Sequence, residues 1–457
     1  MRDLLLFAIL LVLVVAIMRR PWIGVVAWFW VGLMLPHAHT WGFMRTFPMA
    51  VVIGGVTLIA LVFAKDKRLP PMTREMVMMG LLVAWVTMTS FFAVSPDAWG
   101  QWDRFMRILV LVFVTPMLLF GQVKIAWVLV ITVLSLGFYG FKGGLFAIQT
   151  GGQYHVLGPA GTFLGGNTYI GMAMLMVLPL MLVMARAFYH RWIDLGVPFL
   201  VRFYMPISWG FYATFWLTAI AILATHSRGA FVGVLVVAPL IFLHMQRKGL
   251  IVATALLLVL GVGVTAPDKL VDQWRTIVEY EQDASAMQRV QSWGAYWNMA
   301  VERPITGMGF RAHWMGYDWY AQYTNFDGGW GIAFSPHSIY FQMLGQHGFG
   351  GLAVYILLMV FTIMTLNRVR VVAKRRPGKM WLSESAWALQ VGIIGFLVAG
   401  TFLDMAYFNL TYGLIALAII LRRELDENDG SVPIKATVDK GPNNGPSLRF
   451  PDFVVKS

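Results

Sequence analysis

Runs of about 15 to 22 mostly apolar residues recur from one end of the chain to the other, the length that crosses a ~30 Å hydrocarbon core. They fall near 4–18, 22–35, 47–64, 76–92, 105–120, 124–141, 168–189, 204–224, 229–244, 249–266, 347–366, 385–403 and 406–421. The first two are short and parted only by Arg19-Arg20-Pro21, so they can form one broken or re-entrant crossing. The pattern predicts an all-α polytopic membrane protein with about 12 spanning helices. Leu4 to Met18 lacks a small-residue cleavage site and runs into Arg19-Arg20, so it reads as a retained anchor.

Polar stretches between the runs set the orientation, because cytoplasmic loops collect Lys and Arg. Lys65-Asp66-Lys67-Arg68, Arg247-Lys248, the run Arg368 to Lys379 and Arg422-Arg423 then share the cytoplasmic side. Loops 36–46, 93–104, 142–167 and 267–346 fall on the outer, periplasmic side. The last is patterned: Val271 to Asp283 and Met287 to Val301 look helical, with Arg289, Trp293 and Trp297 along one face. Gly307, Gly309 and Gly328-Gly329 break it into turns. The expected organisation is membrane helices over 1–266, a helical periplasmic loop domain over 267–346 and C-terminal membrane helices over 347–421. A disordered cytoplasmic tail follows over 422–457, rich in Asp, Asn, Gly and Pro. No long-range repeat marks an inverted-repeat transporter.

Composition agrees. The 457 residues are 58% hydrophobic and 12% charged, with mean hydropathy +0.68; soluble chains carry roughly a quarter charged residues. The 19 Trp and 15 Tyr suit interfacial belts. The absence of cysteine excludes disulfides, thiolate metal sites and a cysteine nucleophile. The net charge of +13 follows largely from the cytoplasmic bias and suits anionic membrane lipids; nothing points to nucleic acid. What needs a reason is the set of cations on the outer side, Arg104, Arg107, Lys142, Arg228 and Arg289. An anionic, membrane-held ligand is one.

Three constellations could carry chemistry. In Thr225-His226-Ser227-Arg228-Gly229, Ser227 is a helix N-cap. Arg228 then meets the positive end of the helix dipole. Two readings stand: the side chain snorkels to the interface, or a bound anion offsets the repulsion. In Ser335-Pro336-His337-Ser338, Ser335 and Pro336 read as a helix start. That start puts His337 in the first turn, where the dipole keeps the imidazole neutral and able to take a proton. A lone histidine is usually structural, and the other eight, including His37, His39 and His226, keep that reading. Arg289 either serves the same anion or pairs with Glu281 or Asp283 on the surface. No Ser-His-Asp arrangement or phosphate-cradling glycine loop is evident. Pro36 to Thr46 holds no carboxylate.

These residues, with Pro304-Ile305-Thr306-Gly307-Met308-Gly309-Phe310 and Gly345-Gln346-His347-Gly348, resemble the O-antigen ligase and polymerase superfamily over roughly 160–420. The resemblance implies a metal-independent, cofactor-free inverting glycosyltransferase of the multi-span class in the bacterial inner membrane, its active site facing the periplasm. Such an enzyme takes a glycan from undecaprenyl diphosphate, and the ligases pass it to lipid A-core. Carried over by position, His337 corresponds to the family's essential histidine, and Arg228 and Arg289 to its diphosphate-contacting arginines. Topology adds Arg104 and Arg107 for the donor, with Asp404, Ser338 and Trp293 in support. The superfamily also holds O-antigen polymerases and protein O-oligosaccharyltransferases, which differ in acceptor. A metal site is not expected, because metal-dependent membrane glycosyltransferases keep acidic ligands in the first outer loop. A lipid-linked glycan transporter is the other class, although ionisable residues inside these spans are few.

Overall fold

The computed structural model describes residues 1–245, 284–324 and 331–427, and among them every regular element is helical. The expected crossing at 249–266, the helix at 271–283, the turn at Gly328-Gly329 and the tail beyond 427 lie outside the described residues. The long helices are α1 (Arg2–Arg19), α2 (Trp22–Met34), α3 (Met49–Phe63), α4 (Arg74–Ser90), α5 (Ala98–Leu118), α6 (Gln122–Gln149) and α7 (Asn167–Tyr189). They continue with α8 (Tyr204–Leu223), α9 (Arg228–His244), α10 (Ala284–Glu302), α11 (Ile339–Lys374), α12 (Met380–Ala399) and α13 (Asn409–Glu427). Among the described residues, five segments are long and apolar enough to cross a membrane: Gln122–Gln149, Asn167–Tyr189, Tyr204–Leu223, Ile339–Lys374 and Met380–Phe402. Trp22–Met34, Met49–Phe63 and Arg228–His244 are shorter apolar helices. Helix α7 is buried around almost its whole circumference, as a helix apolar on all sides must be at the centre of a bundle.

The first two segments double back on each other rather than run on as one broken helix. Asp3, at the start of α1, accepts hydrogen bonds at 3.1 Å from the backbone amides of Gly42 and Met44, which follow α2. The two helices therefore form an antiparallel hairpin about Arg20-Pro21, and the amino terminus lies at the same end of the bundle as the 36–46 loop. The reason is local: Pro21 has no amide hydrogen to continue α1, whereas Asp3 can satisfy two free amides after α2.

The basic loops gather at the opposite end, where carboxylates meet them. Lys124 pairs with Asp66 at 3.1 Å, Arg186 with Glu384 at 2.7 Å and Arg423 with Glu427 at 2.7 Å, and Arg68 also bonds Glu427.

At the first end, residues 304–310 join α10 to the membrane helices through backbone pairing. The amides of Met308 and Gly309 donate to the carbonyls of Gly345 and Gln346, each at 2.9 Å, and the Phe349 amide donates to the Pro304 carbonyl at 2.9 Å. The contact needs glycine on both sides. Gly348 breaks α11 with φ 67, and a Cβ there would lie 2.4 Å from the Pro304 carbonyl oxygen. Gly307 has φ 58, and its Cβ would lie 2.6 Å from the Gln346 backbone. Beneath it, His347 is fully buried between Thr89 at 2.6 Å and Tyr407 at 2.8 Å. These motifs anchor the outer helix to the bundle. Gly348→Ala should therefore cost about 1–3 kcal/mol in backbone strain alone. In thermal unfolding of the solubilised protein it should melt well below Gly55→Ala, whose Cβ meets nothing within 4 Å. Equal melting temperatures would refute the anchoring role.

Candidate functional site

Four separate segments meet beside this anchor. The first is the start of α9, where Ser227 is the N-cap and its hydroxyl accepts from the Ala230 amide at 3.3 Å, as the sequence predicts. Arg228 is the first helical residue. A Cβ on its neighbour Gly229 would touch Phe402 Cβ at 3.3 Å, so this terminus packs on the turn between α12 and α13. That turn carries Asp404, whose Oδ1 accepts from the Tyr169 hydroxyl of α7 at 2.8 Å. The Ala406 amide donates to Gln342 Oε1 of α11 at 2.9 Å and so fixes the turn. The third segment is α10. Trp293 stacks on Phe341 at 5.4 Å and 9° and lies 6.2 Å from Phe402. Trp297 meets Phe349 edge-on at 5.7 Å, so both tryptophans face the α11 side, as their spacing predicts.

The fourth segment is 331–338, and here the structure corrects the sequence reading. The helix does not begin at Pro336. The Ser292 hydroxyl of α10, which donates to the Arg289 carbonyl at 2.8 Å, lies 3.4 Å from the Pro336 carbonyl, and His337 turns into the left-handed region with φ 42. Ser338 is extended, with φ −159 and ψ 130, so α11 starts at Ile339. His337 is thus held outside the helix, with Nε2 3.3 Å from Ser335 Oγ. Among the described residues, five non-glycine residues have positive φ: Leu35, Arg191, His226, Arg311 and His337. Four of these, Leu35, His226, Arg311 and His337, lie at this end of the bundle, and such strain persists only where the surroundings enforce it.

Charge links these groups. Burial holds His337 below the usual histidine range, the Asp404 carboxylate opposes this, and the Arg289 guanidinium adds to it. The imidazole is therefore neutral at neutral pH, as expected, but because of burial rather than a helix dipole. His313 is driven down to about 4, chiefly by burial, with Asp404 opposing and Arg311 and His337 contributing. Its Nδ1 lies 3.0 Å from the Tyr296 hydroxyl. Trp293 Nε1 and Ser338 Oγ are buried with no hydrogen-bond partner, so both can still bond an occupant.

The structure thus groups His337, Arg289, Asp404, Trp293 and Ser338, with Arg228 on the adjoining helix start. It does not bring Arg107 to them, because that side chain pairs with Asp103 at 2.5 Å on an exposed face of α5. Arg104 is exposed and reaches the group only through Arg311, whose Nη2 donates to Gln101 at 3.2 Å. Tyr169, His313 and Arg311 were missed in the sequence, since no spacing ties them to His337. Among the described residues no three His, Asp or Glu side chains gather as a metal site.

The family model for O-antigen ligase matches residues 213–356. Over that stretch the chain is similar to O-antigen ligases. The matched stretch contains Arg228, Arg289, Trp293, His337 and Ser338, while Asp404 lies beyond it. Residues 1–189, which hold Tyr169, Arg104 and Arg107, match a family of unknown function, DUF5935. The match is narrower than the 160–420 resemblance, and the grouped residues come from the matched stretch and from both of its flanks. No curated protein matches the chain.

Proposed function

We propose that this chain is an O-antigen ligase that moves a glycan from undecaprenyl diphosphate to lipid A-core at the periplasmic face of the inner membrane. The observation that carries the reading is the His337 imidazole, held neutral in a strained loop with Arg289 and Asp404 in charge range. Arg228 at a helix start and Arg289 bind the diphosphate, a use suited to guanidinium forks and free helix amides. His337 takes the proton of the acceptor hydroxyl as its oxygen attacks the anomeric carbon from the face opposite the diphosphate. The anomeric carbon–oxygen bond breaks, its electron pair stays on the diphosphate, and the arginines stabilise that charge. Asp404 favours the imidazolium that forms. The product has inverted configuration, and undecaprenyl diphosphate leaves.

The test combines purified protein, lipid-linked glycan and lipid A-core, and follows the ligated lipid. Product that forms only on a glycan or a protein acceptor would indicate a polymerase or a protein O-oligosaccharyltransferase instead. Movement of donor without acceptor would indicate a transporter. Because loop 36–46 carries no carboxylate, transfer should persist in EDTA and not respond to added magnesium or manganese. Loss on chelation, restored by metal, would reject this chemistry.

A further inference from the structure

A second basic site lies in the N-terminal region, apart from the residues above. A cavity of about 480 Å³ opens at the same end of the bundle and is lined by Arg2, Arg45, Lys142, His39 and His155. That volume suits a small ligand or headgroup. No carboxylate lines it. The nearest acid in sequence, Asp3, spends its carboxylate on the Gly42 and Met44 amides. Arg2, Arg45 and Lys142 form no ion pair among the described residues, in contrast to the cations of the opposite end. Their charges converge, since Lys142 and Arg2 both press His39 below its usual range after burial has done so. The Tyr139 hydroxyl donates to the Met34 carbonyl, so His39 Nε2 donates to that hydroxyl oxygen at 3.0 Å and the ring is fixed at the cavity wall.

Around the opening the surface is aromatic. Trp41 is 80% exposed, Tyr154 61% and Phe43 53%, a rim suited to the depth of lipid headgroups. The cavity also adjoins the α9 start: His155 meets His226 edge-on at 4.9 Å, and His226 Nε2 lies 2.9 Å from the Gly152 carbonyl oxygen. Unpaired cations with an aromatic rim call for an anion at the end of an apolar chain rather than a free ion.

We propose that this cleft binds the phosphate-bearing headgroup of a membrane amphiphile, at a site separate from the one that includes Arg289. The identification of that amphiphile as the glycan acceptor rests on the transfer reading above; the binding itself does not. The full chain in detergent is titrated with short-chain phosphatidic acid, with phosphatidylcholine of the same chains, and with inorganic phosphate. Phosphatidic acid should bind at least about tenfold more tightly than either control, as expected for charge-assisted contacts combined with an apolar rim. Arg45→Ala/Lys142→Ala should lose about tenfold or more, Arg45→Lys/Lys142→Arg should retain most of it, and Arg289→Ala should bind normally. Unchanged affinity in the double alanine variant would overturn the site, and inorganic phosphate binding as tightly as the lipid would overturn its headgroup nature. An equal loss in Arg289→Ala would mean a single shared site. In the transfer assay the double alanine variant should raise KM for acceptor with kcat and donor KM kept. Absence of transfer by the unaltered protein would reject the transfer reading and leave the binding result standing.

Discussion

His337→Ala should abolish glycan transfer while donor binding remains close to normal. Loss of a positioned general base removes about 10²- to 10⁴-fold in rate, whereas the diphosphate is held by arginines and helix amides that the substitution leaves in place. A phosphate-binding role for His337 forecasts the reverse, weak donor affinity with rate recovered at saturation. Donor affinity and single-turnover rate measured separately on this variant distinguish the two. The pH profile gives a second readout. A base works when unprotonated, and burial with Arg289 lowers the His337 pKa. The acid limb of the rate should therefore fall below the ordinary histidine value of about 6.5. Arg289 favours the neutral ring, so Arg289→Ala should move that limb to higher pH. Asp404 favours the charged ring, so Asp404→Asn should move it lower. Near-normal turnover in His337→Ala would mean that another group is the base.

Arg228→Ala and Arg289→Ala should each lose most transfer while the protein still inserts and folds. A charge-assisted contact to phosphate is worth about 1.5–3 kcal/mol, or roughly ten- to a hundredfold. Arg→Lys should restore only part of it, because an ammonium cannot present the planar, two-pronged donor set of a guanidinium. The two positions should differ in one respect. Arg289 acts electrostatically on His337, so its loss should alter the pH profile as well as donor affinity. Arg228 does not figure among the charges acting on His337, so its loss should affect donor affinity and leave the pH profile in place. If both alanine variants bind and turn over donor normally, these arginines serve only to hold helix ends at the interface.

What the chain determined by itself is what depends on short-range chemistry. Apolar runs long enough to span a bilayer dictated helices and the membrane setting, because unpaired backbone amides are too costly in hydrocarbon. Ser227 as a helix cap and the shared face of Trp293 and Trp297 follow from hydrogen-bond reach and helical period, both local. His337, Arg228 and Arg289 were legible as motif residues. The tertiary structure decided the rest. It made α1 and α2 a hairpin, because the partner of Asp3 is the distant 42–44 backbone. It moved the start of α11 from Pro336 to Ile339, because His337 is held in the left-handed region and Ser338 is extended. It grouped Tyr169 and Asp404, 235 positions apart in the chain, with His337, and it paired Arg107 with Asp103. It left the cations of the N-terminal cleft without carboxylates while supplying them at the opposite end. Burial, which sets the charge state of His337, is a property of neighbours brought from other segments, and no pattern along the chain encodes it.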